Sequence, residues 1–211
     1  MKYEYDLHIH TTASDGVLTP QEVIDKAVEF GLKGIAISDH DTVAGLEKAR
    51  QYLNTTSYCL DFIPAVELNT EAEKEEVHIL GYFIDPQNAA LNQRLQDIRI
   101  SRYHRSEQMV SRLQEAGLKI NFTQVKELAQ GESIGRPHVA RALINNNYVA
   151  SIDEAFEKYI GWGAPGYVPR YKFLPAEAIE LIKNAGGIAV LAHPGLIKNK
   201  KKVLDIINLG I

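Results

Sequence analysis

The chain has a single cysteine, Cys59, so no internal disulfide can staple it. Cys59 sits in an apolar run and is expected to be a small buried hydrophobe. No apolar stretch approaches the roughly 20 residues needed to cross a bilayer. The N-terminus lacks a signal-peptide layout, since Lys2 is followed by alternating polar residues, and a cytoplasmic protein is expected. There is no excess of basic charge. A net charge of −4 argues against a broad grip on long duplex nucleic acid or an anionic membrane, though a local basic pocket remains compatible with it. No repeat or low-complexity tract is present, and nothing marks an obligate protein partner. What remains, 211 residues of ordinary globular composition, suits one large domain or one domain with an insertion.

The stretch Asp6-Leu7-His8-Ile9-His10, after the alternating Tyr3-Glu4-Tyr5, reads as a short strand. Residues two apart in a strand share a face, so His8 and His10 project together, as two imidazoles on one metal would. Small polar residues then lead to Asp15-Gly16, a turn able to fold a carboxylate back over the same spot. Two histidines at this spacing are a weak signal alone, and a surface or hydrogen-bonded pair at a strand end is the commoner reading. The metal gains weight because later strands also end on histidines and carboxylates.

Thr19-Pro20-Gln21-Glu22 starts a helix, with Thr19 as cap, Pro20 in the first turn and Glu22 closing a capping box. Its apolar face runs to Gly31. Gly34-Ile35-Ala36-Ile37-Ser38 is a buried strand ending in Asp39-His40-Asp41-Thr42, where Asp41 or Thr42 would cap the next helix. Phe62 to Glu67 is an apolar strand ending on a carboxylate. Val77 to Ile84 is another, with His78 near its start. Pro175 to Ala185 reads as a helix and Ile188 to Ala192 as a strand finishing in His193-Pro194-Gly195. Lys198 to Leu209 closes the chain as a basic-then-apolar helix. This alternation predicts a parallel α/β fold, in which chemistry collects at the carboxyl ends of strands. His8/His10, Asp39/His40, Glu67 and His193 all fall at such ends.

Between these halves the pattern turns helical. Leu91–Ala116, ended by Gly117, Phe122–Ala129, Pro137–Asn146 and Ile152–Tyr159 all read as helices. The expected division is residues 1–85 with 170–211 as the α/β domain and 86–169 as a helical insertion. The insertion carries Arg102 and Arg105, which share a helix face, and Arg136 in Gly135-Arg136-Pro137-His138 at a helix start, a natural anion site. A solvated helix face explains the arginine row equally well, and His138 alone is more often a capping or core histidine.

Taken in order, His8-x-His10, Asp15, Asp39-His40, Glu67, His78 and His193-Pro194 resemble the PHP (polymerase and histidinol phosphatase) family over nearly the whole chain. With Gly166-Tyr167-Val168-Pro169 downstream, Gly135-Arg136-Pro137-His138 resembles the small bacterial subgroup that dephosphorylates nucleoside 3′,5′-bisphosphates or trims short RNA from the 5′ end. The resemblance implies a distorted (β/α)7 barrel holding two to three divalent metals. By similarity, His8, His10 and Glu67 hold the first, Glu67 bridges to a second on His78 and His193, and Asp15 with His40 holds the third. Asp39 and Asp41 are expected to support these ligands or to cap. Imidazole and carboxylate ligands without thiolate suit Mn²⁺, Zn²⁺ or Fe²⁺. The family's late Asp and His motif has no counterpart after His193, and the expected explanation is a chain cut short before its last strands.

The expected activity is metal-dependent hydrolysis of a phosphomonoester on a nucleotide or short oligonucleotide. Arg102, Arg105 and Arg136 would clamp a second phosphate, His138 would bond that phosphate or help protonate the leaving oxygen, and Tyr167 would flank the base or sugar. The rival expectations are a histidinol-phosphatase-like enzyme and a non-catalytic nucleotide-binding module with a lapsed metal site.

Overall fold

Thr19 does cap the first helix, and its box closes. The Glu22 N–H donates to Thr19 Oγ1 (3.2 Å), and the Thr19 N–H to Glu22 Oε2 (2.7 Å). The structure is a computed structural model describing residues 4–73, 75–129, 131, 133–197 and 199–211. Tyr3 of the expected first strand and Lys198 of the expected last helix lie outside the described residues.

The chain forms two compact units, Met1–Gln96 with Lys172–Ile211, and Asp97–Tyr171. In the first unit, β1 (Tyr5–Ile9), α1 (Pro20–Glu29), β2 (Gly34–Ile37), α2 (Ala44–Thr55), β3 (Asp61–Ala72) and β4 (Glu75–Tyr82) succeed one another in order. The long α3 (Ala89–Glu115) then runs through the division at Gln96, so the boundary falls inside a helix, later than the loop at Pro86 where the sequence pattern changes. The unit resumes with α7 (Pro175–Asn184), β5 (Ile188–Leu191) and α8 (Lys200–Ile207). Ile24, Ile35, Ile37, Leu68, Ile79 and Ile182 are buried in its core.

The sheet is open among the described residues, with strand order β1-β2-β3-β4-β5. It is also mixed, which corrects the expectation of parallel strands throughout. β1, β2 and β3 pair in parallel, whereas β4 is antiparallel to both β3 and β5. The cause is a hairpin. β3 does not stop at Glu67 but continues through Asn69 and Thr70, both buried, before turning into β4. Polar residues end most buried strands; here they are satisfied in place, Thr70 Oγ1 donating to the Val77 carbonyl at 2.6 Å.

The second unit contains the rest of α3, then α4 (Phe122–Leu128), α5 (Arg136–Asn145) and α6 (Ile152–Ala155), which continues as a π-helical turn, Phe156–Ile160. Its own core includes Met109, Leu113, Val125, Val139, Leu143 and Ile160. Gly117, at φ +90°, ends α3. Cys59 is exposed, contrary to expectation, because it lies in the loop before β3 rather than in the strand. Among the described residues no helix is long and apolar enough to cross a membrane.

Candidate metal centre

Strand alternation brings His8 and His10 to one side of β1, with their Nε2 atoms 3.1 Å apart. The chain then turns sharply. The Gly16 N–H donates to the Thr11 carbonyl (2.9 Å), and a Cβ on Gly16 would stand 2.3 Å from the His10 carbonyl oxygen, so glycine is required there. That turn returns Asp15 to His10, Oδ1 to Nδ1 at 2.9 Å. The loop is anchored from below by Asp39, whose carboxylate accepts from the Thr11 N–H (2.7 Å), Thr11 Oγ1 (2.7 Å) and Ser14 Oγ (2.6 Å). Burial raises the Asp39 carboxyl pKa against these bonds. Asp39 thus supports the loop.

Glu67 is the centre of the cluster. It is 1% exposed and lies level with the end of β2, bridged to His40 in the parallel ladder. Its Oε2 is 3.0 Å from His8 Nε2, 2.9 Å from His10 Nε2 and 3.2 Å from His40 Nδ1. Its Oε1 is 2.9 Å from His78 Nδ1 and 3.0 Å from His193 Nε2. The ladder explains His78: it pairs with Asn69, two residues beyond Glu67, and so shares its face. His193 lies just after β5 in a left-handed conformation, φ +29°. Five imidazoles close a ring around one carboxylate, with neighbouring centroids 4.4 to 5.8 Å apart.

Burial alone would raise the Glu67 carboxyl pKa, but the hydrogen bonds from His10, His193, His78 and His8 hold it far below the usual carboxylate range. Burial likewise pulls the His10 imidazole down, and its bonds to Asp15 and Glu67 overcome that and lift it to about 10. His78 is raised against its burial by Glu67 and Glu76. Imidazoles and carboxylates that hold one another this way must lose protons before they can ligate a metal ion.

The donor set fits divalent metal ions. His8, His10 and Glu67, then His10, Asp15 and His40, then His40, Glu67 and His78 each offer three ligand atoms within 4.8 Å of one another. His40 thus joins two of these groups, and His193 joins through Glu67 Oε1. His78 Nε2 is buried and makes no hydrogen bond, with Glu76 Oε1 at 3.4 Å as its charged neighbour. It borders a cavity of about 490 Å³ lined also by Glu75, Glu76 and His193.

Asn69 was not singled out from the sequence. Its Nδ2 donates to Asp41 Oδ2 (2.8 Å) and lies 3.1 Å from His40 Nδ1, while its backbone N–H donates to Asp41 Oδ1 (3.1 Å). Asp41, at φ +52°, therefore braces β3 instead of capping α2, which has no side-chain cap. Thr42 Oγ1 accepts only from the Ala44 N–H, at 3.2 Å. The available signal was the Glu67-x-Asn69 spacing, two residues on one strand face.

The remaining expected site residues lie in the helical unit. Arg102 Nε donates to the Ile134 carbonyl (3.0 Å) and Arg105 Nε to the Val168 carbonyl (2.8 Å), so these arginines fasten α3 to later loops rather than merely covering a solvated face. Arg136 sits in the first turn of α5 with its guanidinium 4.9 Å from the Phe156 ring centre. His138 is buried, and its Nδ1 accepts from the Gly135 N–H at 3.1 Å, capping α5. Tyr167 lies beside Trp162.

The chain is 39% identical over 191 residues to the 5′-3′ exoribonuclease Rnm of Escherichia coli, covering 90% of this chain and 65% of that protein. It is 38% identical to the 3′,5′-nucleoside bisphosphate phosphatase of Chromobacterium violaceum, covering 90% and 66%. It therefore spans about two-thirds of the length of these relatives. A solved structure from Bifidobacterium adolescentis, assigned as a metal-dependent phosphoesterase, superposes with a TM-score of 0.89 at 29% identity, covering 99% of this chain and 75% of that one. Residues 6–168 match the PHP domain model, and with the histidine and carboxylate cluster in place the chain belongs to the PHP domain family.

Proposed function

We propose that this protein is a metal-dependent phosphoesterase that hydrolyses a phosphomonoester of a nucleotide, a nucleoside 3′,5′-bisphosphate or the end of a short RNA. The observation that carries this reading is the convergence of five histidines on buried Glu67, with Asp15 folded back onto His10. His8, His10, Asp15, His40, Glu67, His78 and His193 would hold two to three divalent ions, of which Mn²⁺, Zn²⁺ and Fe²⁺ suit the donors. Bound there, such ions supply activation of water and neutralisation of phosphoryl charge.

The chain's own groups do the rest. Glu67, kept ionised, offers one oxygen to His8, His10 and His40 and the other to His78 and His193, so it can serve two neighbouring ions at once. Asp39 keeps the His10-to-Asp15 loop closed, and Asn69 holds His40 in place. In this reading Arg136, with Arg102 and Arg105, binds the substrate's second phosphate, His138 assists there, and Tyr167 flanks the base or sugar. The names of the two curated relatives support the nucleotide class. A cytoplasmic setting and a distorted (β/α)7 barrel accompany the proposal.

The test is elemental analysis for metal paired with phosphate release from adenosine 3′,5′-bisphosphate, histidinol phosphate and an aryl phosphate. Two or three ions per chain and preferred turnover of the bisphosphate are expected. Arg136→Ala should raise KM for the bisphosphate far more than for the aryl phosphate; equal effects would remove the clamp. Bound nucleotide without metal or turnover would instead identify a binding module, and preference for histidinol phosphate would identify the rival enzyme.

A further inference from the structure

Trp162 is the chain's one tryptophan, and it is 66% exposed. A single exposed apolar side chain is ordinary on a protein surface; what sets this one apart is the loop that presents it and the ring beside it. The loop presenting it is well braced. It comes directly after the π-helical turn Phe156–Ile160 and is closed by N–H donation from Gly161 to the Phe156 carbonyl (2.8 Å), Gly166 to Tyr159 (2.8 Å), Ala164 to Gly161 (3.1 Å) and Tyr167 to Ala164 (3.0 Å). A Cβ on Gly161 would lie 2.3 Å from the Phe156 carbonyl oxygen, and Gly163 holds φ +77°. The backbone is thus committed to this loop shape, and the indole is carried outward on it.

The neighbours define what the indole could receive. Tyr167 stands beside it, ring centres 5.0 Å apart and planes inclined at 60°, a tilted pair rather than a parallel stack. The Tyr167 carbonyl accepts from Arg112 Nη1, and the Val168 carbonyl from Arg105 Nε at 2.8 Å. These arginines are seven residues apart on α3, so two cationic groups are bonded to the backbone that carries Tyr167. The charge of the whole segment agrees. Residues 97–171 hold ten Lys and Arg against eight Asp and Glu, and seven of the chain's nine arginines, although the chain as a whole is at −4.

We propose that Trp162, with Tyr167 beside it, is a stacking platform for a nucleobase of single-stranded RNA, with Arg105 and Arg112 supplying positive charge for the adjoining phosphates. Aromatic faces accept any base, and arginines track the strand's backbone, so such a platform binds by strand character rather than by sequence. This rests on the nucleotide-directed reading above and extends it from a single reacting nucleotide to a strand.

The experiment uses the whole protein in EDTA, so that binding is read without turnover. Because Trp162 is the sole indole, its emission reports on this one position. Pentaadenylate should quench it saturably, and an abasic strand of the same length should not. Binding of dye-labelled pentaadenylate, monitored by anisotropy, should weaken about 5- to 100-fold in Trp162→Ala and be largely kept in Trp162→Phe. Circular dichroism checks that both variants are folded. Equal quenching by the abasic strand, absence of pentaadenylate binding, or equal anisotropy isotherms for wild type and W162A would overturn the proposal. So would a concentration-dependent blue shift without RNA, which would mean that a second copy covers the indole. Phosphate release by the metal-loaded protein is measured separately, so loss of the platform and loss of the phosphoesterase reading give different results.

Discussion

In the metal-free protein, the two carboxylates that flank His10 can be neutralised together as Asp15→Asn with Glu67→Gln. His10 Nδ1 is 2.9 Å from Asp15 and Nε2 2.9 Å from Glu67. Burial alone would lower this imidazole; the two hydrogen bonds reverse that and lift it from 6.5 to about 10. A folded pKa above the unfolded one stabilises the fold fully below about 6.5 and loses that contribution as pH rises towards 10. At 1.36 kcal/mol per unit, His10 contributes about 4 kcal/mol at pH 7, about 1.4 kcal/mol at pH 9 and about 0.4 kcal/mol at pH 10. His78 is raised too and adds in the same direction. Amides cannot hold an imidazolium this way. Whatever constant offset the substitutions introduce, the stability advantage of wild type should therefore shrink by about 3–4 kcal/mol between pH 7 and pH 10. Urea denaturation in EDTA, monitored by circular dichroism at each pH, measures it. A difference that is flat or grows with pH would refute the reasoning, because His10 would then be neutral in the folded apoprotein.

Metal loading at pH 8 should release protons, since His10 must give its proton up to bind a cation; calorimetry in buffers of different ionisation enthalpy should show buffer-dependent heats, and identical heats would contradict this. Asn69→Leu should weaken metal binding about 10- to 100-fold by equilibrium dialysis, the usual cost of losing a group that orients a ligand. Unchanged affinity would remove Asn69 from the site. Gly16→Val should cost metal content and several degrees of Tm, since its Cβ would collide with the His10 carbonyl; a variant with wild-type metal content would show that Asp15 is not held by this turn.

Much of the fold was legible because local chemistry decides it. The Thr19 capping box, the Gly31 and Gly117 stops and the long helix beginning near Leu91 all depend on neighbours in sequence, and each occurs at or within a few residues of the expected place. The course of β3 was not legible. Asn69, Thr70 and Glu71 look like the residues after a strand, and only their pairing with β4 makes them part of it. Ile152–Tyr159 likewise reads as one helix, whereas its second half is π-helical. Cys59 is exposed despite its apolar neighbours, because an apolar neighbourhood in sequence says nothing about which loop faces solvent.

By itself, the sequence determined the donor inventory: His8 and His10 at strand spacing, Asp15 on a turn, His40, Glu67, His78 and His193, with no thiolate among them. It determined the arginine enrichment of the helical segment as well. Only the tertiary structure decided that five of the imidazoles meet on a single buried carboxylate, that His40 is held by Asn69, itself bonded to Asp41, and that the arginines of α3 are bonded to backbone carbonyls. The reason is reach. Capping and alternation act over two to four residues, where the chain constrains itself, but Glu67 and His193 stand 126 positions apart, and nothing short of the folded sheet brings those two atoms within 3.0 Å.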